Sequence, residues 1–216
     1  MTNQEILNHC DHTLLKATAT WEQIRELCED AIRYQTASVC VPPCYIKRIH
    51  DAYPALCICT VVGFPLGYSC TASKATETRQ AIEDGALEVD MVVNITDVKN
   101  GDFDAVTNEI RTLKEIVGDK ILKVIIETCY LTEEEKIALC KCVTKGGADF
   151  IKTSTGFGTA GAVLADIELF KKHIGEDVKI KAAGGIRTLE DLNAFLDAGC
   201  ERIGTSAAVG LLKETL

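Results

Sequence analysis

The stretch Asp149-Phe150-Ile151-Lys152-Thr153-Ser154-Thr155-Gly156 decides how this chain is read. Up to Lys152 it is short and apolar, like a buried strand, and after Lys152 come small residues suited to a loop. A lysine carried into a core must be neutral, paired or reactive, because an isolated ammonium is costly to desolvate. Lys123, after Ile121-Leu122, and Lys181, in Val178-Lys179-Ile180-Lys181-Ala182-Ala183-Gly184-Gly185, share that setting, each 29 residues from Lys152. One strand, one helix and two loops take roughly 30 residues. The spacing therefore predicts three lysines at equivalent levels on three consecutive strands. Neighbouring ammonium groups and a dry pocket both depress a lysine pKa, and a neutral amine is a nucleophile.

Working outward, strand-like and helix-like segments alternate along the chain. Strands are expected at 10–13, 38–41, 57–62, 87–93, 121–127, 149–154, 178–183 and 202–205. Helices are expected after a Thr20 cap, at 73–84, at 104–117, from the Thr132 capping box to Gly146-Gly147, at 162–173, at 189–198 and at 207–216. A leading helix at 3–9 would cover the floor. Eight βα units predict an α/β chain with a parallel sheet closed as a single (β/α)8 TIM barrel over 1–216, with an extra N-terminal helix. An open doubly wound sheet is the alternative, but no G-x-G-x-x-G follows the first or second strand. Alternation supports the barrel. Phe150, Lys152 and Ser154 share one face, as do Lys179, Lys181 and Ala183; Lys123, Ile125 and Glu127; and Glu88, Asp90 and Val92. Inward charge near the C-terminal ends of several strands marks a barrel active site.

Composition narrows the function classes. A net charge of −9 and a pI near 5.0 disfavour a nucleic-acid or anionic-membrane surface. No apolar run is long enough for a membrane span, and the first residues lack the pattern of a secretory signal. The 11 cysteines form no C-x-x-C pair, and the 4 histidines have no metal-ligand spacing. Small buried thiols in a reducing, cytoplasmic compartment are the expectation, with no metal and no cofactor.

Two constellations carry chemistry. Lys152, Lys181 and Asp90 read either as a Schiff-base lysine, a second lysine that lowers its pKa and a proton-moving carboxylate, or as a buried Lys–Asp network that fills the barrel. Three inward lysines against few inward carboxylates would leave excess positive charge, which structure alone does not reward. The loops bearing Gly156, Gly184-Gly185 and Gly204-Thr205-Ser206 read either as ordinary βα turns or as a phosphate cradle completed by a helix starting at Ser206. Arg187 either helps bind that anion or lies on the surface. In Asp11-His12-Thr13, Asp11 either orients an active-site group or caps a turn, and Thr13 lies beside it. Cys40 either lines the pocket or packs in the core, and His12 reads as structural.

These motifs resemble deoxyribose-phosphate aldolases over almost the whole length. DHTLL, CVPP, VVGFPLG, EVDMVVN, LKVIIET, FIKTSTGF, KAAGGIRT and RIGTS follow in order, and FIKTSTGF with KAAGGIRT is highly specific. The resemblance implies a metal-free class I aldolase on a (β/α)8 barrel. Such an enzyme reversibly cleaves 2-deoxy-D-ribose 5-phosphate to acetaldehyde and D-glyceraldehyde 3-phosphate. It implies Lys152 as the Schiff-base lysine, Lys181 as the second catalytic lysine and Asp90 as the proton relay. It implies phosphate contacts at Gly156, Gly184, Gly185 and Ser206 with support from Gly204, and supporting roles for Asp11, Thr13, Cys40, Lys123 and Arg187. The implied partners are a small sugar phosphate and aldehydes, with no nucleic acid or membrane; a homodimer or homotetramer stays open. The chain departs from the family at Tyr68-Ser69-Cys70-Thr71, at Ala207 where some relatives carry a second serine, and in lacking the tyrosine-ended tail of some members. A transaldolase-like or keto-acid aldolase, and a non-catalytic sugar-phosphate binder, are the rival readings.

Overall fold

Eight short strands, each hydrogen-bonded in parallel to the next and the last to the first, close into a barrel in the order β1 to β8 in the computed structural model, which describes residues 1–215. The first half runs α1 (Asn3–Asn8), β1 (Cys10–Thr13), α2 (Trp21–Tyr34), β2 (Ser38–Val41), α3 (Ile46–Ala52), β3 (Ile58–Val62), α4 (Thr71–Glu83), β4 (Glu88–Val92) and α5 (Ile95–Lys99). The second runs α6 (Phe103–Val117), β5 (Ile121–Ile125), α7 (Glu133–Gly146), β6 (Phe150–Lys152), α8 (Leu164–His173), β7 (Lys179–Ala183), α9 (Leu189–Asp197), β8 (Arg202–Thr205) and α10 (Ala208–Leu212). The fold is therefore the expected (β/α)8 barrel. The leading helix is present, opened by a Thr2–Glu5 capping box. It buries Ile6 and Leu7 and packs against α9 and α10.

Local chemistry sets these elements. Thr20 and Thr132 each cap a helix, accepting from the N–H of Gln23 and Glu135, whose side chains return to the cap backbone. Gly147, with φ 76°, ends α7 in the left-handed conformation that glycine adopts without strain. Alternate positions along each strand, among them Val89, Met91, Leu122, Val124, Ile151 and Ile203, face the helices and form the main apolar layer. Their neighbours face inward, where Cys40, Cys59 and Val61 pack with Leu15 and Phe64.

Four differences from the expected elements have local causes. Strand β6 stops at Lys152 rather than Ser154, because the Thr153 hydroxyl takes the Ala183 N–H at 3.1 Å in place of a ladder bond. Helices α3 and α5 were not anticipated; with seven and five residues they carry too little periodicity to register. The last helix spans Ala208–Leu212 followed by a 3-10 turn to Thr215; Leu216, the end of the expected range 207–216, lies outside the described residues. Ser206 does not start a helix: Ala207 is the cap of a five-residue one, so the expected dipole contribution is small.

Candidate active site

Adjacent strands bring Asp11 (β1), Cys59 (β3), Glu88 and Asp90 (β4), Lys123 (β5), Lys152 (β6), Lys181 (β7) and Arg202 (β8) inward. The level of the lysines differs from the expectation. Lys152 pairs with Lys181 across β6 and β7, but its partner on β5 is Ile125, and Lys123 pairs with Phe150. Lys123 therefore lies one inward layer deeper, beside its register partner Asp90.

Asp90 is the hub. Its Oδ2 meets Lys152 Nζ at 2.8 Å and Lys181 Nζ at 2.7 Å, and its Oδ1 meets Lys123 Nζ at 2.9 Å and the Cys59 thiol at 3.2 Å. Below it, Lys123 reaches Glu88 at 2.5 Å and Lys181 reaches Asp11 at 2.5 Å. Arg202 Nη1 bridges Asp11 at 2.5 Å and Glu88 at 2.9 Å, and Ser38 donates to Asp11 at 2.7 Å.

Burial alone would raise both aspartates. Lys123, Lys152 and Lys181 overcome it and hold Asp90 well below the usual carboxylate range, and Lys181, Lys123 and Arg202 do the same for Asp11. Burial would lower the two deep lysines. Asp90, with Cys59, Asp11 and Glu88, holds Lys123 far above its ordinary value, and Asp11 with Asp90 raises Lys181. The expected excess of positive charge is present but small. Asp11, Glu88 and Asp90 equal the three lysines in number, Arg202 supplies the surplus, and Lys181 is itself ion-paired. Four cationic side chains face Asp11, Glu88 and Asp90, so one proton shed from a lysine would neutralise the set.

The three lysines differ in contact and exposure. Lys123 touches three carboxylates and Lys181 two, and both are 0% exposed; Lys152 touches only Asp90 and is 3% exposed. Among the described residues, Lys152 alone of the network also lines a cavity of about 310 Å³ at the C-terminal end of the barrel.

The rest of that cavity suits an anion on one side. Gly156, Gly184, Gly185, Gly204 and Ser206 all line it, with Thr13, Lys16 and Arg187. Gly184, at φ +83°, packs so closely that a Cβ there would meet the Cα of Gly161 at 3.1 Å and of Gly156 at 3.4 Å. The backbones of two loops thus touch under the cradle, which excludes a side chain. Arg187 is exposed but belongs to the cavity wall, and so does Lys16, which the sequence did not single out. Cys40 is wholly buried beside Cys59 and packs in the inner cluster.

Arg202, Cys59 and Glu127 were not assigned roles from sequence. Arg202 was legible in principle, since it shares the parity of Gly204 on β8. Cys59 reads as one more buried thiol until Asp90 is placed opposite it.

Two sets of donors lie close enough together to hold a cation, Cys40, Cys59 and Asp90, and Asp11, Cys59 and Glu88. Residue spacing does not reveal them. The Lys123 ammonium already fills that role, 3.3 Å from Cys59 Sγ and in contact with all three carboxylates.

Comparison with known proteins agrees with the geometry. The sequence model of the DeoC/LacD family aldolases matches residues 6–213. A deoxyribose-phosphate aldolase from Clostridium botulinum is 68% identical over 214 residues, covering 99% of this chain and 97% of that protein. One from Clostridioides difficile is 56% identical over 211 residues, covering 97% and 96%. The solved deoxyribose phosphate aldolase from Aeropyrum pernix, described as having a unique tetrameric structure, superposes with a TM-score of 0.92 at 29% identity, covering 99% of this chain and 92% of that one.

Proposed function

The chain belongs to the DeoC/LacD family of aldolases, carbon–carbon lyases, and from that premise we propose that it reversibly cleaves 2-deoxy-D-ribose 5-phosphate to acetaldehyde and D-glyceraldehyde 3-phosphate through an imine on Lys152. The observation that carries the reading is the position of Lys152, at once a member of the buried network and part of the cavity wall.

In this mechanism the unprotonated Lys152 amine attacks the aldehyde carbon of the open-chain sugar. Loss of water leaves a protonated imine, an electron sink. Asp90 and Lys181, through a water they hold, take the proton of the C3 hydroxyl. The C2–C3 bond then breaks, its electron pair moves into the imine to give an enamine, and glyceraldehyde 3-phosphate departs. Protonation of the enamine at C2 and hydrolysis release acetaldehyde and regenerate Lys152. The Gly156, Gly184, Gly185, Gly204 and Ser206 wall orients the phosphate, with Lys16 and Arg187 adding charge, and does no chemistry. Asp11, Lys123, Glu88 and Arg202 hold the charges of Asp90 and Lys181 in place, and Thr13 shapes the wall.

The proposed setting is cytoplasmic, where 11 free thiols stay reduced. The net charge of −9 sets nucleic acid aside as a partner. Among the described residues no helix is long and apolar enough to cross a membrane. A homo-oligomer belongs to the proposal, the Aeropyrum pernix relative being tetrameric by its description.

The test is acetaldehyde release from 2-deoxy-D-ribose 5-phosphate, with and without a metal chelator. Chelator-resistant release supports the proposal. Absence of release, or use of a keto-acid donor in place of acetaldehyde in the reverse direction, overturns it.

A further inference from the structure

Glu127 is a buried carboxylate that the mechanism does not use. It follows β5 with φ 53°, a left-handed conformation that costs a non-glycine residue energy, and it is 1% exposed. Among the described residues no lysine or arginine forms an ion pair with it. A buried carboxylate without a cation is costly unless neutral donors satisfy it, and here Thr155 supplies most of them, with the Cys129 thiol a longer contact to Oε1 at 3.9 Å. The Thr155 N–H reaches Oε1 at 3.2 Å and Oε2 at 3.3 Å, and the Thr155 hydroxyl makes a short bond to Oε2.

Thr155 is part of the cavity wall, three residues beyond Lys152. Its hydroxyl has one proton. The hydroxyl donates to Glu127 Oε2, so that proton is committed to Glu127. The same oxygen accepts the Phe157 N–H at 3.0 Å. What remains for the cavity is a lone pair. We propose that Glu127 is a positioning residue that fixes the polarity of the Thr155 hydroxyl, so that the wall beside Lys152 presents an acceptor and selects substrates carrying a hydroxyl donor there. The inference rests on the aldolase reading and adds to it the group that sets hydroxyl selectivity.

Glu127→Gln is the diagnostic change. It keeps the shape, but its amide can donate to Thr155 Oγ1 and release the hydroxyl proton, reversing the polarity of the wall. The expected result is a rise of about tenfold in KM for 2-deoxy-D-ribose 5-phosphate, the scale of one lost hydrogen bond. Borohydride trapping of acetaldehyde on Lys152 should stay within about twofold, because acetaldehyde has no hydroxyl to lose. Thr155→Ala carries the same test if Glu127→Gln does not fold, and the double variant should be no worse in KM than Thr155→Ala alone. An unchanged KM in the folded variant, or trapping that falls in step with KM, overturns the inference. The wild-type enzyme is the control: if it releases no acetaldehyde, the aldolase reading fails first, whereas an active wild type with an indifferent Glu127→Gln sinks only this inference.

Discussion

Lys152 Nζ and Asp90 Oδ2 lie 2.8 Å apart where a buried ion network meets an open cavity. Everything below that contact is charge held in place by opposite charge. Above it, small residues and backbone, with Lys16 and Arg187 at the wall, surround space for a ligand.

Lys181 sits immediately beneath, 2.7 Å from the same Asp90 oxygen. Lys181→Leu should lower turnover by ~10²–10⁴, the usual loss for an acid–base partner. It should also lower stability by roughly 3–5 kcal/mol, because Asp11 and Asp90 lose a buried partner. Slow imine trapping on Lys152 should survive. Turnover near wild type in a folded Lys181→Leu protein would make this residue structural. Asp90→Asn should instead retain trapping but fail to break the carbon–carbon bond, seen as an imine that accumulates on the sugar phosphate.

The pH dependence of stability follows from the same network. Asp11 and Asp90 are depressed in the folded chain, so their contribution is complete above the unfolded carboxylate value of about 3.9 and is lost as pH falls through the depressed values. Lys123 and Lys181 are raised, so theirs is complete below the unfolded value of about 10.4 and is lost as pH rises through the raised ones. Thermal melts should show the network's contribution flat from about pH 4 to about pH 10. The gap in melting temperature between wild type and Asp11→Asn should narrow below about pH 4. A gap that widens there would mean the carboxylate is not held ionised.

Much of this was legible in the sequence, for a physical reason. Strand parity is a strict period of two, so Lys152, Lys181 and Asp90 could be placed inward from their apolar neighbours alone. Eight strand-like segments separated by helix-length patterns left little choice but a closed barrel. Parity does not give height. Lys123 shares the spacing of the others yet sits a layer lower, because barrel stagger is set by register between strands. Nor could pairing be read. Arg202 joins Asp11 across 191 positions of sequence, and such a contact leaves no local pattern. The cavity wall was half visible: its glycines and Thr155 announce themselves as small-residue loops, but Lys16 stands in a loop where neither period applies.

The phosphate side can be tested apart from the chemistry. Ser206 is exposed on the cavity wall, so a new charge there should not disturb the fold. Ser206→Asp should raise KM for the phosphorylated sugar by about 10- to 100-fold, the scale of a hydrogen bond to a charged group lost to repulsion. Turnover of unphosphorylated 2-deoxyribose should change far less. Equal damage to both sugars, measured by steady-state kinetics, would remove the phosphate from this wall.

The most direct measurement is borohydride reduction of the enzyme in the presence of acetaldehyde, followed by peptide mass spectrometry. An ethyl group on Lys152, absent from the Lys152→Arg variant, is expected. An adduct located mainly on Lys123 or Lys181, or no adduct from an enzyme that still cleaves the sugar phosphate, would contradict the assignment of Lys152 as the amine that forms the imine.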